Sequence, residues 1–275
     1  MRSKSLFEKL SAQPYILWSA IFIVAPLIMV AYYAFTDRNG NFTWDNIASI
    51  GDYTGVFMLS VLFGIIATAI CLVIAYPFAY AIVQTKMKTQ RTLYLLVMLP
   101  MWMNFLIRTY SWMTILGETG VINTFLGWFG IGPFKMLNTG GAVILGMVYN
   151  FLPYMVLPLY TVMAKMDKSL IEAAQDLGCN KFSVIKNVVM PLSVPGIISG
   201  VTMVFVPSVS TFYIRQKLGG GQVTLIGDII EMQFQSANNY NLGASLSFVL
   251  MILILVCLAL MNHFTDEDNG GAMYI

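Results

Sequence analysis

Six long apolar runs, separated by polar segments, set the organisation of this chain. The runs cover residues 15–35, 57–83, 93–113, 142–163, 195–214 and 242–264. As a helix, each is long enough to cross a hydrocarbon core of about 30 Å at about 1.5 Å per residue. The runs are longer than the strands of a membrane barrel and do not alternate as those strands do. The pattern therefore predicts an all-α integral membrane protein, with six transmembrane helices in one domain over residues 1–275.

The ends and interruptions of these runs refine the prediction. The first run is longer than the apolar region of a signal peptide, about 7–15 residues, and it ends in bulky aromatic residues, so we expect an uncleaved transmembrane helix. The third run is expected to break near Pro100, and the fifth to be interrupted by Pro207. With Pro153 and Pro158 in the fourth run, these prolines are expected to set kinks that shape a cavity.

The most polar internal segment, residues 165–191, lies between the fourth and fifth runs. Ser169 and Glu172 have the spacing of a capping box at a helix N-terminus. Three apolar residues then follow at helical spacing, predicting one buried stripe. They are Ile171, Ala174 and Leu177.

A second short helix is expected in the same segment. Gly178 is well placed as the left-handed residue that ends the first helix. Asn180 can cap the second helix, and Pro191 is expected to end it. A helix–turn–helix between two membrane spans suggests a docking surface for a soluble protein.

Composition narrows the function. The chain is 58% hydrophobic and 10% charged, against about 25% charged in soluble domains. A net charge of +2 is too small to indicate nucleic acid binding. The scattered cysteines and the single histidine, His263, predict no metal or haem site. No catalytic constellation is present, and residues 219–221 lack the Lys-Ser/Thr pair of a phosphate-binding loop.

Lysine and arginine counts predict the orientation in the membrane. One side carries Arg2, Lys4, Lys9, Lys86, Lys88, Arg91, Lys165, Lys168, Lys181 and Lys186. The other side carries Arg38, Arg108, Lys135, Arg215 and Lys217. The excess on the first side predicts that both termini and the segment 165–191 lie in the cytoplasm.

The polar segment also carries a specific residue pattern. Glu172-Ala173-Ala174 is followed by Gly178 and then by Val188-Val189-Met190-Pro191. This resembles the E-A-A-x3-G-x9-I-x-L-P motif of ABC-importer permeases, with conservative changes at Val188 and Met190. The resemblance implies that residues 165–191 form a coupling loop that contacts an ATPase. The implied coupling residues are Ser169, Glu172, Ala173, Ala174, Asp176, Leu177, Gly178 and Pro191.

Other stretches extend the resemblance to most of the chain. Residues 100–110 (PMWMNFLIRTY), 157–178 and 225–227 resemble the spermidine/putrescine permease family of ABC importers. That implies a type I importer (MetI-like) permease fold with cytoplasmic coupling helices, in the bacterial cytoplasmic (inner) membrane. It implies a non-catalytic chain without a cofactor of its own. The implied partners are the lipid bilayer, a second homologous permease, an ATPase dimer that binds ATP and magnesium, and an extracellular or periplasmic polyamine-binding protein.

Candidate residues of a substrate pathway follow from polyamine chemistry. Ammonium groups gain from carboxylates and from aromatic faces. The candidates are Trp102, Asn104, Tyr110, Glu118, Tyr149, Asp228 and Glu231. Alternatively, the aromatic residues could lie at the membrane–water interface, where Trp and Tyr are common, and not on the pathway. Asp228 and Glu231 have the alternative of a solvated helix face or a contact with the binding protein.

Arg108 calls for a different role, because a cation on the pathway would repel a cationic substrate. We expect a structural or gating role, with Arg108 paired to Glu118 or to the partner permease. Three other functions remain open: import of another small solute, an ion-coupled carrier, and a membrane enzyme. The absence of a clear internal repeat and of paired acids within the runs weighs against the last two. The choice between spermidine and putrescine stays open.

Overall fold

A computed structural model describes the backbone of residues 14–271 and the side chains of residues 14–261. Regular structure in that part of the chain is helical, apart from an isolated bridge between Thr36 and Phe42. Arg2, Lys4 and Lys9 of the charge count lie outside it, as does the side chain of His263. The longer helices are α1 Pro14–Ala34, α2 Thr54–Val83, α3 Met87–Trp102, α4 Phe105–Leu116, α5 Val121–Gly127, α6 Gly140–Met163, α7 Lys168–Asp176, α8 Lys181–Ser210, α9 Tyr213–Leu218, α10 Ile226–Gln235 and α11 Tyr240–Gly271. Two short helical turns, Asp45–Ala48 and Ser49–Tyr53, directly precede α2.

Five helical stretches in the described part are long and apolar enough to cross a membrane. They contain α1, α2, α6, α8 and the first part of α11, and so account for five of the six predicted spans. The remaining apolar run, residues 93–113, is divided between α3 and α4. These two helices form a sixth crossing only if the bent pair is one span.

The break in the third run is sharper than expected and lies in a different place. Pro100 lies inside α3, which continues to Trp102. Met103 is extended, and the chain turns by 91° before the next helix. The side-chain oxygen of Asn104 accepts a hydrogen bond from the amide of Leu106 at 2.8 Å, so Asn104 begins α4 as its N-cap. A favourable N-cap, rather than the proline itself, fixes where the new helix starts.

The expectation that Pro191 ends a short helix is wrong. The helix α8 runs without a gap from Lys181 to Ser210, so the fifth membrane helix begins earlier than predicted. A π-helical turn, Ile185–Val189, directly precedes Pro191. Such a turn shifts the hydrogen-bond pattern where the proline supplies no amide proton. Pro207 also lies inside α8, which ends three residues later.

The described residues group into two compact units, each considered by itself. The first unit contains residues up to 55 and residues 229–253. In it, Asn241 Nδ2 donates to the carbonyl oxygen of Thr36 at 2.7 Å, and Ser245 Oγ donates to that of Ala34 at 3.0 Å. These bonds satisfy the carbonyl group of the last residue of α1 and that of Thr36, two residues beyond it, where the hydrogen bonds of the helix have ended.

The second unit contains residues 56–228 and the rest of the described chain from residue 254. Its most extensive packing joins α6 to α8. Two glycines of α8 make that approach possible. A Cβ atom would lie 3.1 Å from the carbonyl oxygen of Pro158 at Gly196 and 2.5 Å from Met155 Sδ at Gly200. Small residues four apart let helix backbones pack closely within a membrane.

Candidate functional site

The coupling loop, residues 165–191, contains α7 and the first turns of α8. The capping box predicted from Ser169 and Glu172 is not formed, because α7 begins earlier, at Lys168. Asp167 is the N-cap, and its Oδ1 accepts a hydrogen bond from the amide of Ser169 at 3.0 Å. That bond lowers the pKa of the Asp167 carboxyl, because it stabilises the charged form. Glu172 is thereby left without a capping task.

The C-terminal end of α7 is as predicted. Gly178 has a φ of +85°, the left-handed conformation. Its amide donates to the carbonyl oxygen of Gln175 at 2.9 Å, and the amide of Cys179 donates to that of Ala174 at 3.1 Å. These two bonds form a Schellman motif, which satisfies carbonyl groups at the helix end. Asn180 then caps α8 as predicted, accepting from the amide of Ser183 at 2.8 Å.

The two faces of α7 have different surroundings. Ala174 is buried, and Ile171 packs against the core of the second unit. The sequence predicted that Leu177 continues this buried stripe, but its side chain is 87% exposed. It shares its face with Leu170 and Ala173, which are also exposed, because residues three and seven apart lie on one side of a helix.

Phe182, at the start of α8, is 74% exposed. The coupling loop therefore has an exposed apolar surface, which we name the docking face. Its residues are Leu170, Ala173, Leu177 and Phe182.

A cleft of about 270 Å³ borders α7 on the side opposite the docking face. Its walls come from the end of α2, the start of α3, the end of α6 and from α7. Lys168, Glu172 and Gln175 are the α7 residues of this cleft that carry polar groups. Helix α7 thus borders a space whose other walls are the ends of three longer helices.

The seven pathway candidates have different surroundings. Trp102, at the end of α3, is 74% exposed, and Tyr110 on α4 is also exposed. The side chain of Asn104 is occupied as the N-cap described above. Glu118 is exposed in the loop after α4, and Glu231 is half-buried on α10.

Tyr149 on α6 makes an edge contact with Trp112, with ring centroids 5.3 Å apart. Lys217 Nζ lies 5.5 Å from the centroid of the Tyr110 ring, so that ring already presents its face to an ammonium group.

Asp228 lies in a buried network that the sequence did not reveal. Its carboxylate pairs with the guanidinium group of Arg215, and its Oδ2 accepts from the amide of Leu225 at 2.9 Å. Arg215 also donates to the carbonyl oxygen of Val223, and Ser60 Oγ accepts from the amide of Ile226 at 2.8 Å. Arg215 and Asp228 belong to the same segment between the fifth and sixth apolar runs, which was the only sequence signal for the pair.

Arg108 is not paired with Glu118. Among the side chains of residues 14–261, the salt bridge that forms is that of Arg215 with Asp228. Arg108 is buried on α4. Of the two pairings expected from the sequence, the structure excludes the one within the chain.

Comparisons with known proteins agree with this geometry. The family model described as "Binding-protein-dependent transport system inner membrane component" matches residues 78–266. The spermidine/putrescine transport system permease protein PotB of Haemophilus influenzae is 38% identical over 258 residues, covering 90% of each chain. The protein of that name from Escherichia coli strain K12 is 37% identical over 247 residues, covering 86% of this chain and 90% of the relative.

Solved structures show the fold. A crystal structure of a bacterial ABC transporter that imports the acidic polysaccharide alginate contains a chain with a TM-score of 0.76 at 18% identity, covering 94% of both chains. Another, of the alginate transporter in complex with an alginate pentasaccharide-bound periplasmic protein, has a TM-score of 0.76 at 17% identity, covering 94% of this chain and 93% of the other. The expected ABC-importer permease fold is confirmed.

Proposed function

The chain belongs to the family of binding-protein-dependent transport system inner membrane components, and on that premise we propose that it imports polyamines of the spermidine/putrescine type. One observation supports this choice of cargo: relatives named as spermidine/putrescine permeases are 36–38% identical over most of the chain. The alginate transporters share the fold at 18% identity or less and give no support for a polysaccharide cargo.

The proposed energy source is a separate ATPase that binds ATP and magnesium. The docking face supports this proposal, since exposed apolar side chains on an ordered helix fit a groove on another protein. Lysine and arginine are in excess on the side of the membrane that carries the coupling loop. This excess supports a cytoplasmic location for the loop and for both termini. A second permease and an external binding protein complete the proposed transporter. The solved relative in complex with a periplasmic protein supports the latter.

The cargo is proposed to pass the exposed aromatic residues near the bend between α3 and α4. Trp102 is largely exposed, and its ring offers a face to an ammonium group. The partly exposed Tyr110 ring already lies against the ammonium group of Lys217, which shows that it can meet such a group. Glu118, Tyr149 and Glu231 remain pathway candidates. Asp228 is the weakest of the set, because Arg215 already neutralises its charge.

Uptake by the reconstituted complex tests the cargo. The chain, its second permease, its ATPase and its binding protein are assembled in vesicles, with radiolabelled spermidine outside and ATP inside. We expect ATP-dependent uptake that unlabelled spermidine or putrescine competes away. Uptake that resists both polyamines but is blocked by another small solute would show a different cargo.

A charge placed on the docking face tests the coupling. Leu177→Asp should release the ATPase from the purified complex, because a carboxylate would have to lose its water in an apolar groove. Asn187→Asp adds the same charge to an exposed position of the coupling loop and should retain the ATPase. Equal retention by both variants would exclude the docking face as the ATPase contact.

The pathway is tested by comparing two exposed tryptophans. Trp102→Leu should lower the rate of uptake at a fixed concentration of cargo-loaded binding protein by about threefold or more, from the loss of cation–π attraction. Trp128→Leu removes a similarly exposed ring, directly after the end of α5, and should leave the rate unchanged. If both variants slow uptake equally, the two rings serve the membrane interface and not the pathway.

A further inference from the structure

The ammonium group of Lys217 lies close to two tyrosine rings at once. Its Nζ atom is 5.5 Å from the centroid of the Tyr110 ring and 5.8 Å from that of the Tyr213 ring. Both distances are within the range of a cation–π attraction. Tyr110 belongs to α4 and Tyr213 to α9, so the fold brings two rings from distant parts of the chain to one ammonium group.

Lys217 is held by these ring faces and not by a carboxylate. Among the side chains of residues 14–261, the salt bridge that forms joins Arg215 to Asp228, and Lys217 has no part in it. The Lys217 side chain is half-buried, and its four-carbon stem is flexible. Another ammonium group can therefore take its place without breaking an ion pair.

A cavity of about 330 Å³ borders Tyr213. Small-molecule sites have volumes of roughly 300–1,000 Å³, so the cavity is large enough to take part in one. Apolar walls suit the methylene stem of an amine, and a ring face suits its ammonium group. The aromatic residues of the wall are Phe105, Phe151, Phe212 and Tyr213, and Ser210 and Thr211 add hydroxyl groups.

We propose that Lys217 is a tethered competitor of the cargo. Its ammonium group holds the faces of Tyr110 and Tyr213 until an ammonium group of the cargo takes its place. The inference rests on the proposed function, which supplies a cargo with ammonium groups. It adds to that function the regulation of one site on the pathway.

A tethered competitor suits a transport pathway. A group tethered beside its own site has an effective concentration in the millimolar range, and so weakens the binding of free cargo. A weak site passes the cargo on, whereas a tight site would retain it. When the cargo leaves, Lys217 returns to the rings and opposes rebinding. Tight capture of the cargo is then left to the external binding protein.

The test measures the binding of radiolabelled spermidine to the purified complex of the chain, its second permease and its ATPase, without the binding protein. Lys217→Met removes the ammonium group but keeps an unbranched apolar stem, and should tighten binding about tenfold or more. Lys217→Arg keeps a cation on the rings and should bind as weakly as the wild type. Lys135→Met is the matched control, because it removes the same charge from an exposed position on the same predicted side of the membrane. It should bind as the wild type does.

The ring faces are tested in the Lys217→Met background. Adding Tyr213→Leu should cancel the tightening, because the ring face is lost. Adding Tyr213→Phe keeps the face and should preserve the tightening. Thermal unfolding of each complex separates a loss of binding from a loss of structure.

Three outcomes would overturn the inference. The first is equal affinity for spermidine in Lys217→Met and the wild type. The second is a tightening that Lys135→Met shares, since it would reflect long-range charge. The third is a tightening that survives Tyr213→Leu, since the rings would then not be the site.

These failures are distinct from failure of the proposed function. Polyamine uptake by wild-type vesicles together with unchanged binding in Lys217→Met would refute the competitor alone. No polyamine uptake, but tighter spermidine binding in Lys217→Met, would refute the proposed function alone. Absence of both effects would refute both.

Discussion

The coupling loop requires a left-handed backbone conformation at Gly178, and Gly178→Ala tests this requirement. A Cβ atom at this position would meet nothing within 4 Å, so the substitution causes no clash. Its φ of +85° nevertheless costs a residue with a side chain about 1–2 kcal/mol. That cost applies to the Schellman turn, and it should raise the population of the opened turn about 5- to 30-fold.

Hydrogen–deuterium exchange of the purified complex measures this opening. The amides of Gly178 and Cys179 close the turn, so peptides that contain them should exchange faster in Gly178→Ala by the same factor. Gly178→Asn should have a smaller effect, because asparagine tolerates the left-handed conformation. Gly127→Ala, where a Cβ also meets nothing and φ is not positive, should not accelerate exchange in its own peptide. Unchanged exchange in Gly178→Ala would refute the reasoning.

Two further predictions concern charged groups. The Asp167 carboxylate caps α7, and its folded-state pKa is lowered, so its contribution is present at neutral pH and is lost as the pH falls below about 3.8. Protection factors of the first α7 amides should therefore fall in acid, and should be independent of that titration in Asp167→Asn, which keeps the cap. Asp228→Asn and Arg215→Gln each leave a buried charge unpaired and should each destabilise the chain by about 3–5 kcal/mol. Thermal unfolding of the purified chain measures this loss.

The outcomes that contradict these predictions are distinct. A drop in protection that Asp167→Asn shares would assign the acid sensitivity to another group. If Asp228→Asn kept wild-type stability but changed the half-saturating cargo concentration, Asp228 would belong to the pathway. In that case Arg215→Gln should not reproduce its effect.

Local signals predicted the coupling loop well where one interaction decided the structure. Gly178 and Asn180 have the conformations and hydrogen bonds that their residue types predicted. The prediction failed where two local signals competed. Asp167 and Ser169 are both good caps, and the earlier one begins α7. Pro191 is a helix breaker in isolation, but a π turn before it lets α8 continue.

Apolar run length determined the membrane class and five of the candidate spans, because each span must satisfy its own backbone hydrogen bonds and bury its side chains in lipid. The residue pattern around Gly178 was sufficient to indicate the family of ABC-importer permeases. Tertiary structure decided what depends on neighbours distant in sequence: the exposure of Leu177, the pairing of Arg215 with Asp228 and the unpaired guanidinium of Arg108. Helical periodicity states which residues share a face, but only packing determines whether that face meets the core, the lipid or another protein.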